Sequence, residues 1–437
     1  MSKLDEQSGK VERARNLLGD LFASALAAAD PMVCVPAHVS QPDSTWRVVV
    51  VGAGKASAAM ARAVEQVAHA QGWLDRVTGL VVTRYDHGAE CSHIEIIEAS
   101  HPVPDTAGVE AARRIRSLVQ DLNADDLLLC LVSGGGSALL AAPADGVRAA
   151  DKEAVTRALL RSGAPIGEMN CVRKHISSIK GGRLAQAAHP ARVVSLMISD
   201  VPGDDPSVIA SGPTVGDPST CQEALEILER YAINVPASIR ALLESRDGET
   251  PKPDDEMFDR VENTIVARPS EMIAAVERVA DAAGFTVVSL GADLEGEARD
   301  LGAAHAALAL RLQRERTAEL PLVVLSGGET TVTVRGEGRG GRNAEYALGL
   351  VQALDGASGI YAIACDTDGI DGVENNAGVV VTPDTISRAA AAGFDCVDTL
   401  ARNDAYSLFA AIDDLVVTGP TRTNVNDFRA ILIDGDS

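Results

Sequence analysis

Two glycine-rich turns follow apolar runs in this chain, and both have the composition of anion-binding loops. One turn comes after Val48–Val51 and the other after Leu127–Val132. The second has three consecutive glycines, which expose backbone N–H groups and suit phosphate or carboxylate oxygens. Lys55 begins the helix after the first turn, where the helix dipole disfavours a cation unless an anion binds there. Plain strand-to-helix connections are the alternative. The candidate residues are Gly52, Gly54, Lys55, Ser133, Gly134, Gly135, Gly136 and Ser137.

A basic segment is the second candidate, because the chain as a whole is acidic. The formal net charge is −23, yet Arg173–Arg183 holds five cationic or titratable groups within 11 residues. On a helix, Arg173 and Lys180 would share one face, with Lys174 beside it. This pattern favours an anionic ligand over a merely solvated basic face. We therefore predict that Arg173, Lys174 and Lys180 bind an anionic substrate or nucleotide.

Three carboxylates follow the apolar run Ile360–Ala364 and predict a metal site. Asp366, Asp368 and Asp371 lie within six residues and would repel one another unless a cation lay between them. Oxygen ligands at a strand end suit Mg²⁺ or another divalent metal. An EF-hand is excluded, because position twelve from Asp366 is Ala377 rather than Glu. A plain turn rich in Asp and Gly is the alternative.

Two further loops carry candidate catalytic residues. Asp200 follows the apolar run Val193–Ile198, and Arg342 ends a glycine-rich loop before a helix. An arginine on such a loop can reach a transferring phosphoryl group, although the loop could also be a simple connection. The loop Thr418–Asp427 closes the chain with another polar segment.

No complete nucleotide-binding or hydrolase fingerprint is present. Ser57 stands where G-x-G-x-x-G needs its third glycine, and G-x-x-x-x-G-K-[ST] is absent. Ser133 lacks the G-x-S-x-G context of a hydrolase nucleophile. His101 is a candidate ligand contact, although a lone histidine is more often structural.

The elements that must position these residues alternate between apolar strands and amphipathic helices. This alternation predicts a doubly wound, mainly parallel, Rossmann-like sheet, with ligands at the carboxyl ends of its strands. An amphipathic helix is expected over Val11–Ala29, and Thr330–Val334 alternates as a strand does. A second α/β domain is expected to begin near Thr264. We predict an N-terminal domain over 1–245, a linker over 246–259 and a C-terminal domain over 260–437.

Composition limits the kinds of partner. The acidic balance argues against a nucleic-acid backbone as a partner. The seven cysteines are scattered and form no C-x-x-C pair, which predicts neither a disulfide framework nor a zinc site. A polar N-terminus and the absence of a long apolar run predict a cytoplasmic protein with no membrane partner.

Taken together, the motifs resemble those of the glycerate 2-kinase family, whose C-terminal half carries the MOFRL domain. The resemblance covers about Val11–Leu432, and no motif departs clearly from the pattern. In chain order the motifs are VVGAGKASAAMA, SHPVPD, LVSGGGSALL, MNCVRKHISSIKGGRLA, SDVPGDDPSVIASGPT, LSGGETTVTVRGEGRGGRNAEYAL, ACDTDGIDG and TGPTRTNVNDF.

The resemblance implies ATP-dependent phosphorylation of D-glycerate to 2-phosphoglycerate, with a divalent metal and a site in a cleft between two α/β domains. It implies catalytic roles for Lys55, Arg342 and Asp200. Some members carry the name hydroxypyruvate reductase, so an NAD(P)H-dependent reductase is the alternative, and a non-catalytic binding protein is a third class. The oligomeric state, a homodimer included, stays open. The same motifs add substrate- or nucleotide-binding roles for Ser211, Gly212, Glu329 and Asn343.

Overall fold

The computed structural model describes residues 3–315 and 321–434, which form two compact units. The continuous unit is Pro31–Val266. The split unit combines the residues up to Asp30, which contain helix α1 (Lys3–Ala28), with those from Ala267 onward.

The continuous unit is built on a six-stranded sheet in the order β3-β2-β1-β4-β5-β6. The pairings among β1 to β5 are parallel, and every residue of β4 is buried, as expected for a strand covered on both faces. This is the strand order of dinucleotide-binding α/β folds, whose order reverses between β1 and β4. The two glycine turns therefore lie at the switch point where such folds bind ligands. The strands are β1 (Arg47–Ala53), β2 (Val77–Arg84), β3 (Ile94–Ala99), β4 (Asp126–Val132), β5 (Arg192–Ile198) and β6 (Val261–Ala267).

Helices cover this sheet and also form a smaller core of their own. In the main core, Ala112, Ile115 and Val119 pack with the buried side chains of β1 and β4. The smaller core joins apolar residues of four helices, among them Val155 and Val172. It fixes the helices that carry the basic residues discussed below. The helices are α2 (Pro31–Cys34), α3 (Ser57–Ala70), α4 (Thr106–Gln120), α5 (Gly136–Leu139), α6 (Ala149–Ser162), α7 (Ile166–His175), α8 (Arg183–Ala188), α9 (Cys221–Arg230) and α10 (Ala237–Ser245).

The split unit contains a mixed sheet in the order β11-β10-β9-β12-β8-β7. Strands β7 and β8 pair in parallel, and the other four pairings are antiparallel. The strands are β7 (Thr286–Ser289), β8 (Leu322–Gly328), β9 (Ile360–Asp366), β10 (Gly378–Val381), β11 (Leu415–Val416) and β12 (Asp427–Ile433). The helices are α11 (Pro269–Ala282), α12 (Ala298–Glu315), α13 (Arg342–Leu354), α14 (Thr385–Ala391), α15 (Cys396–Ala401) and α16 (Ala405–Ala411).

The expected amphipathic helix is present as α1, which packs within the split unit. Phe22 stacks on Phe428 with ring centroids 5.8 Å apart, and Arg15 pairs with the buried Asp414.

None of the described helices is by itself long and apolar enough to cross a membrane. One broken pair, Ser8–Ala28 with Pro31–His38, meets that test by length and composition.

The structure departs from the sequence-based outline in three places. Strand β6 extends the first sheet beside β5, so the boundary falls after it rather than at the polar segment 246–259. The final polar loop leads into β12, whose apolar residues pair with β8 and β9. The alternating segment Thr330–Val334 forms one isolated bridge instead of a strand. A side chain replaces a strand partner here, because Thr333 N–H donates its hydrogen bond to the carboxylate of Glu297.

Candidate active site

The turns after β1 and β4 pack directly against each other, and this contact requires glycine. A Cβ atom added to Gly52 would lie 2.2 Å from the carbonyl oxygen of Leu131. One added to Gly54 would lie 2.1 Å from Oγ of Ser133. Gly54 also has a φ of +142°, which glycine adopts at little cost. Close backbone packing therefore explains both glycines of the first turn without a ligand.

The backbone N–H groups of the first turn donate their hydrogen bonds to acceptors within the protein. Those of Gly54, Lys55 and Ser57 bond to backbone carbonyl oxygens at 2.8–3.2 Å, and that of Ala56 bonds to Ser133 Oγ at 2.9 Å. A pyrophosphate at this turn needs free N–H groups. The first turn is thus poorly suited to a dinucleotide, and Lys55 must act through its side chain.

The second turn keeps its donors available. In the described part of the chain, the N–H groups of Gly134, Gly135 and Ser137 donate to no protein acceptor. Gly135 has a φ of +78°, and a Cβ atom there would lie 3.0 Å from Nε2 of His101 and 3.5 Å from Cγ of Lys55. These three N–H groups form what we call the N–H cradle, flanked by the imidazole of His101 and the side chain of Lys55.

Lys180 lies under this turn. Its Nζ donates to the carbonyl oxygen of Ser137 at 2.6 Å and to Ser137 Oγ at 3.0 Å. Ser137 Oγ is also 2.9 Å from Oγ of Ser211. Ser211 has a φ of +63°, in the left-handed region that is unfavourable for a serine. Two predicted binding residues from distant parts of the sequence therefore meet at the cradle.

Two buried lysines and one partly buried arginine share this region, and we call Lys152, Lys180 and Arg173 the buried cation cluster. Burial lowers the pKa of Lys152 to about 7, with a further contribution from the Arg173 guanidinium. Burial, and then the charges of Lys152 and Arg173, lower the pKa of Lys180 well below its ordinary value.

The buried cation cluster lacks acidic partners. Among residues 3–315 and 321–434, no carboxylate forms an ion pair with any of its three members. Nε of Arg173 is buried and bonds to nothing in the described protein. Buried charge without a partner is costly, and an anion would relieve that cost.

Lys174 has a different environment from its neighbour Arg173. Its Nζ lies 3.3 Å from Oδ1 of Asp217, and both side chains are buried. Asp217 also accepts hydrogen bonds from Thr250 and Ser219. The charge of Lys174 is thus compensated by Asp217 inside the fold, and in this respect Lys174 differs from the members of the buried cation cluster. Its predicted role in substrate binding gains no support from this geometry.

The remaining predicted residues of the continuous unit lie at strand ends or support the turns. Asp200 follows β5, the neighbour of β4 in the sheet, and is partly exposed. Gly212 accepts a hydrogen bond from Gly182 N–H at 2.8 Å and has a φ of +59°. Gly136 has its Cβ position 2.7 Å from the carbonyl oxygen of Ala53, so only glycine fits there.

In the split unit, Arg342 is surrounded by carboxylates. Its Nε donates to Asp427 at 2.8 Å and its Nη2 to Asp366 at 2.8 Å, while Nη1 lies 3.4 Å from Glu329. Burial lowers the pKa of Arg342, but these carboxylates outweigh it and hold the pKa well above its ordinary value. We call these four residues the Arg342 cluster. Asp366 ends β9, Asp427 begins the neighbouring β12, and Glu329 follows β8 on the other side of β12.

The three predicted metal-binding carboxylates have different surroundings. Asp371 accepts N–H bonds from Asn343 and Ala344 at 2.9 Å each, which anchors the first turn of α13. Burial raises the pKa of Asp371 to about 6. Asp366 contacts Arg342, and Asp368 accepts from Ile370 N–H at 2.8 Å. As oxygen donors for a divalent cation, Asp366 and Asp368 fit better than Asp371.

Asn343 supports the same strand ends. Its Nδ2 donates to Asp427 at 2.7 Å, and its Oδ1 is buried with no hydrogen-bond partner in the described protein. A buried amide oxygen without a hydrogen-bond partner, next to carboxylates, is consistent with a ligand in this region that supplies a hydrogen-bond donor or a positive charge.

Sequence reasoning missed Asp427, Arg429 and Lys152. Asp427 joins Arg342 to Arg429, whose Nη2 lies 2.5 Å from it. Asp427 and Arg429 could have been found from the apolar run Ala430–Ile433, because this run predicts a strand that begins at the residues before it. Lys152 had no such signal, because it lies among ordinary charged residues of a helix.

Comparisons with known proteins agree with the motifs. Residues 17–244 match the family described as "Domain of unknown function (DUF4147)", and residues 322–427 match the MOFRL family. A protein of Agrobacterium vitis with the provisional name hydroxypyruvate reductase is 52% identical over 96% of this chain and 94% of its own. The D-glycerate 2-kinase of Thermotoga maritima is 41% identical over 89% of this chain and 91% of its own.

A solved structure is similar over nearly the whole chain. The crystal structure of a Thermotoga maritima glycerate kinase has a TM-score of 0.85 and 38% identity. The match covers 97% of this chain and 100% of that one. The α/β fold class and the resemblance expected from the motifs are both confirmed.

Proposed function

The chain belongs to the glycerate kinase family, and we propose that it transfers the γ-phosphoryl group of ATP to the C2 hydroxyl of D-glycerate. The product is 2-phosphoglycerate. The observation that carries the proposal is the N–H cradle, which adjoins Lys55 and the buried cation cluster. Free N–H donors next to uncompensated positive charge are suited to an anionic group.

The cradle and the buried cation cluster bind the anionic end of one substrate, either the glycerate carboxylate or a nucleotide phosphate. The oxygen of the C2 hydroxyl forms a bond to the γ-phosphorus, and the bond from that phosphorus to the bridging oxygen of ADP breaks. The hydroxyl proton passes to a carboxylate, for which Asp200 is our candidate. The Lys55 ammonium offsets charge on the phosphoryl oxygens.

In the split unit, Asp366 and Asp368 would hold Mg²⁺ or another divalent cation. When bound, such an ion neutralises charge on the phosphate oxygens. Arg342 holds the carboxylates of Asp366 and Asp427 in place by donating a hydrogen bond to each. Arg342 is also our candidate for contact with the transferring group. Its guanidinium is partly exposed, and Nη1 makes the longest of its carboxylate contacts, 3.4 Å to Glu329.

The provisional name of the Agrobacterium vitis relative makes a hydroxypyruvate reductase the second candidate. The strand order of the continuous unit would suit a nicotinamide cofactor. Against it, Ser57 replaces the third glycine of the fingerprint, and the N–H groups from Gly54 to Ser57 are already donated within the protein. The kinase activity is therefore the better match.

One experiment separates the two activities. The protein is incubated with D-glycerate, ATP and Mg²⁺, and the product is identified by ³¹P NMR. A parallel sample contains hydroxypyruvate with NADH or NADPH. We expect metal-dependent 2-phosphoglycerate in the first sample and no nucleotide oxidation in the second. Oxidation of NAD(P)H without phosphoryl transfer would overturn the proposal.

The role of Lys55 has its own test. We expect Lys55→Ala to lower kcat by roughly 10³-fold, the scale for loss of a preorganised charge at a developing anion. Because the side chain lies at the turn and not in the core, the circular dichroism spectrum should be unchanged. Lys10→Ala on α1 is the matched control, and a Lys55→Ala variant with wild-type kcat would remove Lys55 from the mechanism.

A further inference from the structure

His175, Cys221 and Glu249 bring a nitrogen, a sulfur and a carboxylate together inside the continuous unit. Their ligand atoms all lie within 4.8 Å of one another. His175 ends α7, Cys221 begins α9, and Glu249 follows α10. His175 and Cys221 are 0% and 1% exposed, whereas Glu249 is partly exposed. The proposed phosphoryl transfer uses none of these three side chains.

The histidine is oriented as a metal ligand. Its Nδ1 lies 2.8 Å from the carbonyl oxygen of Cys171, so Nδ1 carries the hydrogen and donates it. The lone pair is then on Nε2, which lies 3.9 Å from Glu249 Oε1 and 3.5 Å from Thr250 Oγ1. The Thr250 hydroxyl has the carboxylate of Asp217 as a closer acceptor, at 3.1 Å, so the lone pair can go to a metal. A ring nitrogen fixed by a backbone carbonyl is the usual support of a metal-ligating histidine.

The carboxylate is held against the cysteine. Cys221 N–H donates to Glu249 Oε2 at 3.0 Å. The neighbouring Gly248 allows this approach: an added Cβ atom would lie 3.3 Å from Sγ of Cys221 and 2.9 Å from the carbonyl oxygen of His175. The cluster is therefore built by three distant segments whose packing brings the ligand atoms close.

We propose that His175 Nε2, Cys221 Sγ and the Glu249 carboxylate bind one divalent transition-metal ion, with Zn²⁺ the best match. A nitrogen, sulfur and oxygen set favours zinc and disfavours Mg²⁺, which needs oxygen ligands. When the Sγ–metal bond forms, the thiol proton leaves to solvent. Water completes the coordination. This site does not depend on the proposed kinase activity.

Lys252 competes for the carboxylate and should set the affinity. Its Nζ lies 2.5 Å from Glu249 Oε1. It also donates to the carbonyl oxygens of Ser219 at 2.5 Å and Asp217 at 3.3 Å. The lysine therefore retains acceptors when the Glu249 carboxylate turns to a metal, and removing the lysine should strengthen metal binding.

Cobalt reports the site directly, because Co²⁺ gives a thiolate-to-metal charge-transfer band that oxygen ligands cannot produce. The metal-stripped full chain is titrated with Co²⁺, alongside Cys221→Ala and the matched control Cys396→Ser, a buried cysteine of the split unit. We expect a band that saturates at one equivalent in the wild type and the control, and no band in Cys221→Ala. Absence of the band from the wild type, or its persistence in Cys221→Ala, would overturn the assignment.

Lys252→Met provides an independent arm that does not depend on how well Cys221→Ala folds. We expect it to bind Co²⁺ about tenfold more tightly, because a like charge next to the ion is removed. Equal or weaker binding would exclude Glu249 as a ligand. Zn²⁺ should also raise the Tm of the wild type and of Cys396→Ser, but not that of Cys221→Ala.

Discussion

The buried cation cluster of the continuous unit and the Arg342 cluster of the split unit have opposite balances of charge. In the first, Lys152, Arg173 and Lys180 have no carboxylate partner in the described part of the chain. In the second, Arg342 faces Asp366, Asp427 and Glu329, and Arg429 also pairs with Asp427. Because unbalanced charge of low exposure is unfavourable, we expect an anion to complete the first cluster and a cation to complete the second. In the proposed function, the anionic substrate and the divalent metal would supply these two charges.

The largest effect should come from removing one charge of the buried cation cluster. We expect Lys180→Met to lower kcat/KM by about 10³-fold, because the residue that holds Ser137 at the cradle is lost. The Tm should not fall, since the change also removes a buried like charge. Steady-state kinetics and thermal unfolding measure the two quantities.

Lys174→Met is the matched control for that substitution. It leaves Asp217 buried without its ion-pair partner, which should lower the free energy of unfolding by about 3–5 kcal/mol. The kcat/KM of the folded fraction should remain near that of the wild type. If Lys174→Met lost activity and kept its stability, the contrast between the two lysines would be wrong.

A substitution in the Arg342 cluster should change the metal requirement. We expect Asp366→Asn to lower kcat by about 10²-fold and to shift the Mg²⁺ dependence to higher concentration, because a charged oxygen donor is lost. Asp371→Asn should instead lower the Tm, because Asp371 anchors the start of α13. Equal Mg²⁺ curves for wild type and Asp366→Asn would contradict the assignment.

The smallest effect concerns pH. Lys152 has its pKa lowered to about 7, so it loses its charge as pH rises past that value. We expect the KM of the anionic substrate held by the cluster to rise about tenfold between pH 6 and pH 8, and to stay flat in Lys152→Met.

The stability of the fold should change with pH for the same reason. Between pH 7 and the ordinary lysine pKa of 10.5, the folded protein binds fewer protons at Lys152 than the unfolded chain does. The free energy of unfolding should therefore rise with pH in that window, which denaturant titrations can check.

The sequence predicted much of the continuous unit because its signals are local. Apolar runs marked β1, β4 and β5, and glycine marked the turns that follow two of them. Which turn keeps free N–H groups was not predictable, because three of the four acceptors for the first turn come from the second turn and from β2. Composition alone gave both turns the same role.

What could not be predicted depends on partners far away in the chain. Lys174 and Lys180 look alike in sequence, and only the burial of Asp217 beside one of them separates their roles. Likewise β12 was hidden behind a polar loop, and with it Asp427. The proposed metal site joins residues 175, 221 and 249, a spacing that no short motif describes.

The split unit also has a consequence for how the protein is made. Helix α1 leaves the ribosome before the continuous unit is synthesised. Strand β12 lies in the middle of its sheet between β9 and β8, and it is synthesised after the other five strands of that sheet. Until β12 emerges, β8 and β9 lack their shared neighbour and expose unpaired edges. The continuous unit can fold during translation, whereas the split unit must wait, and nascent chains stalled before Asp427 should be the species that chaperones hold.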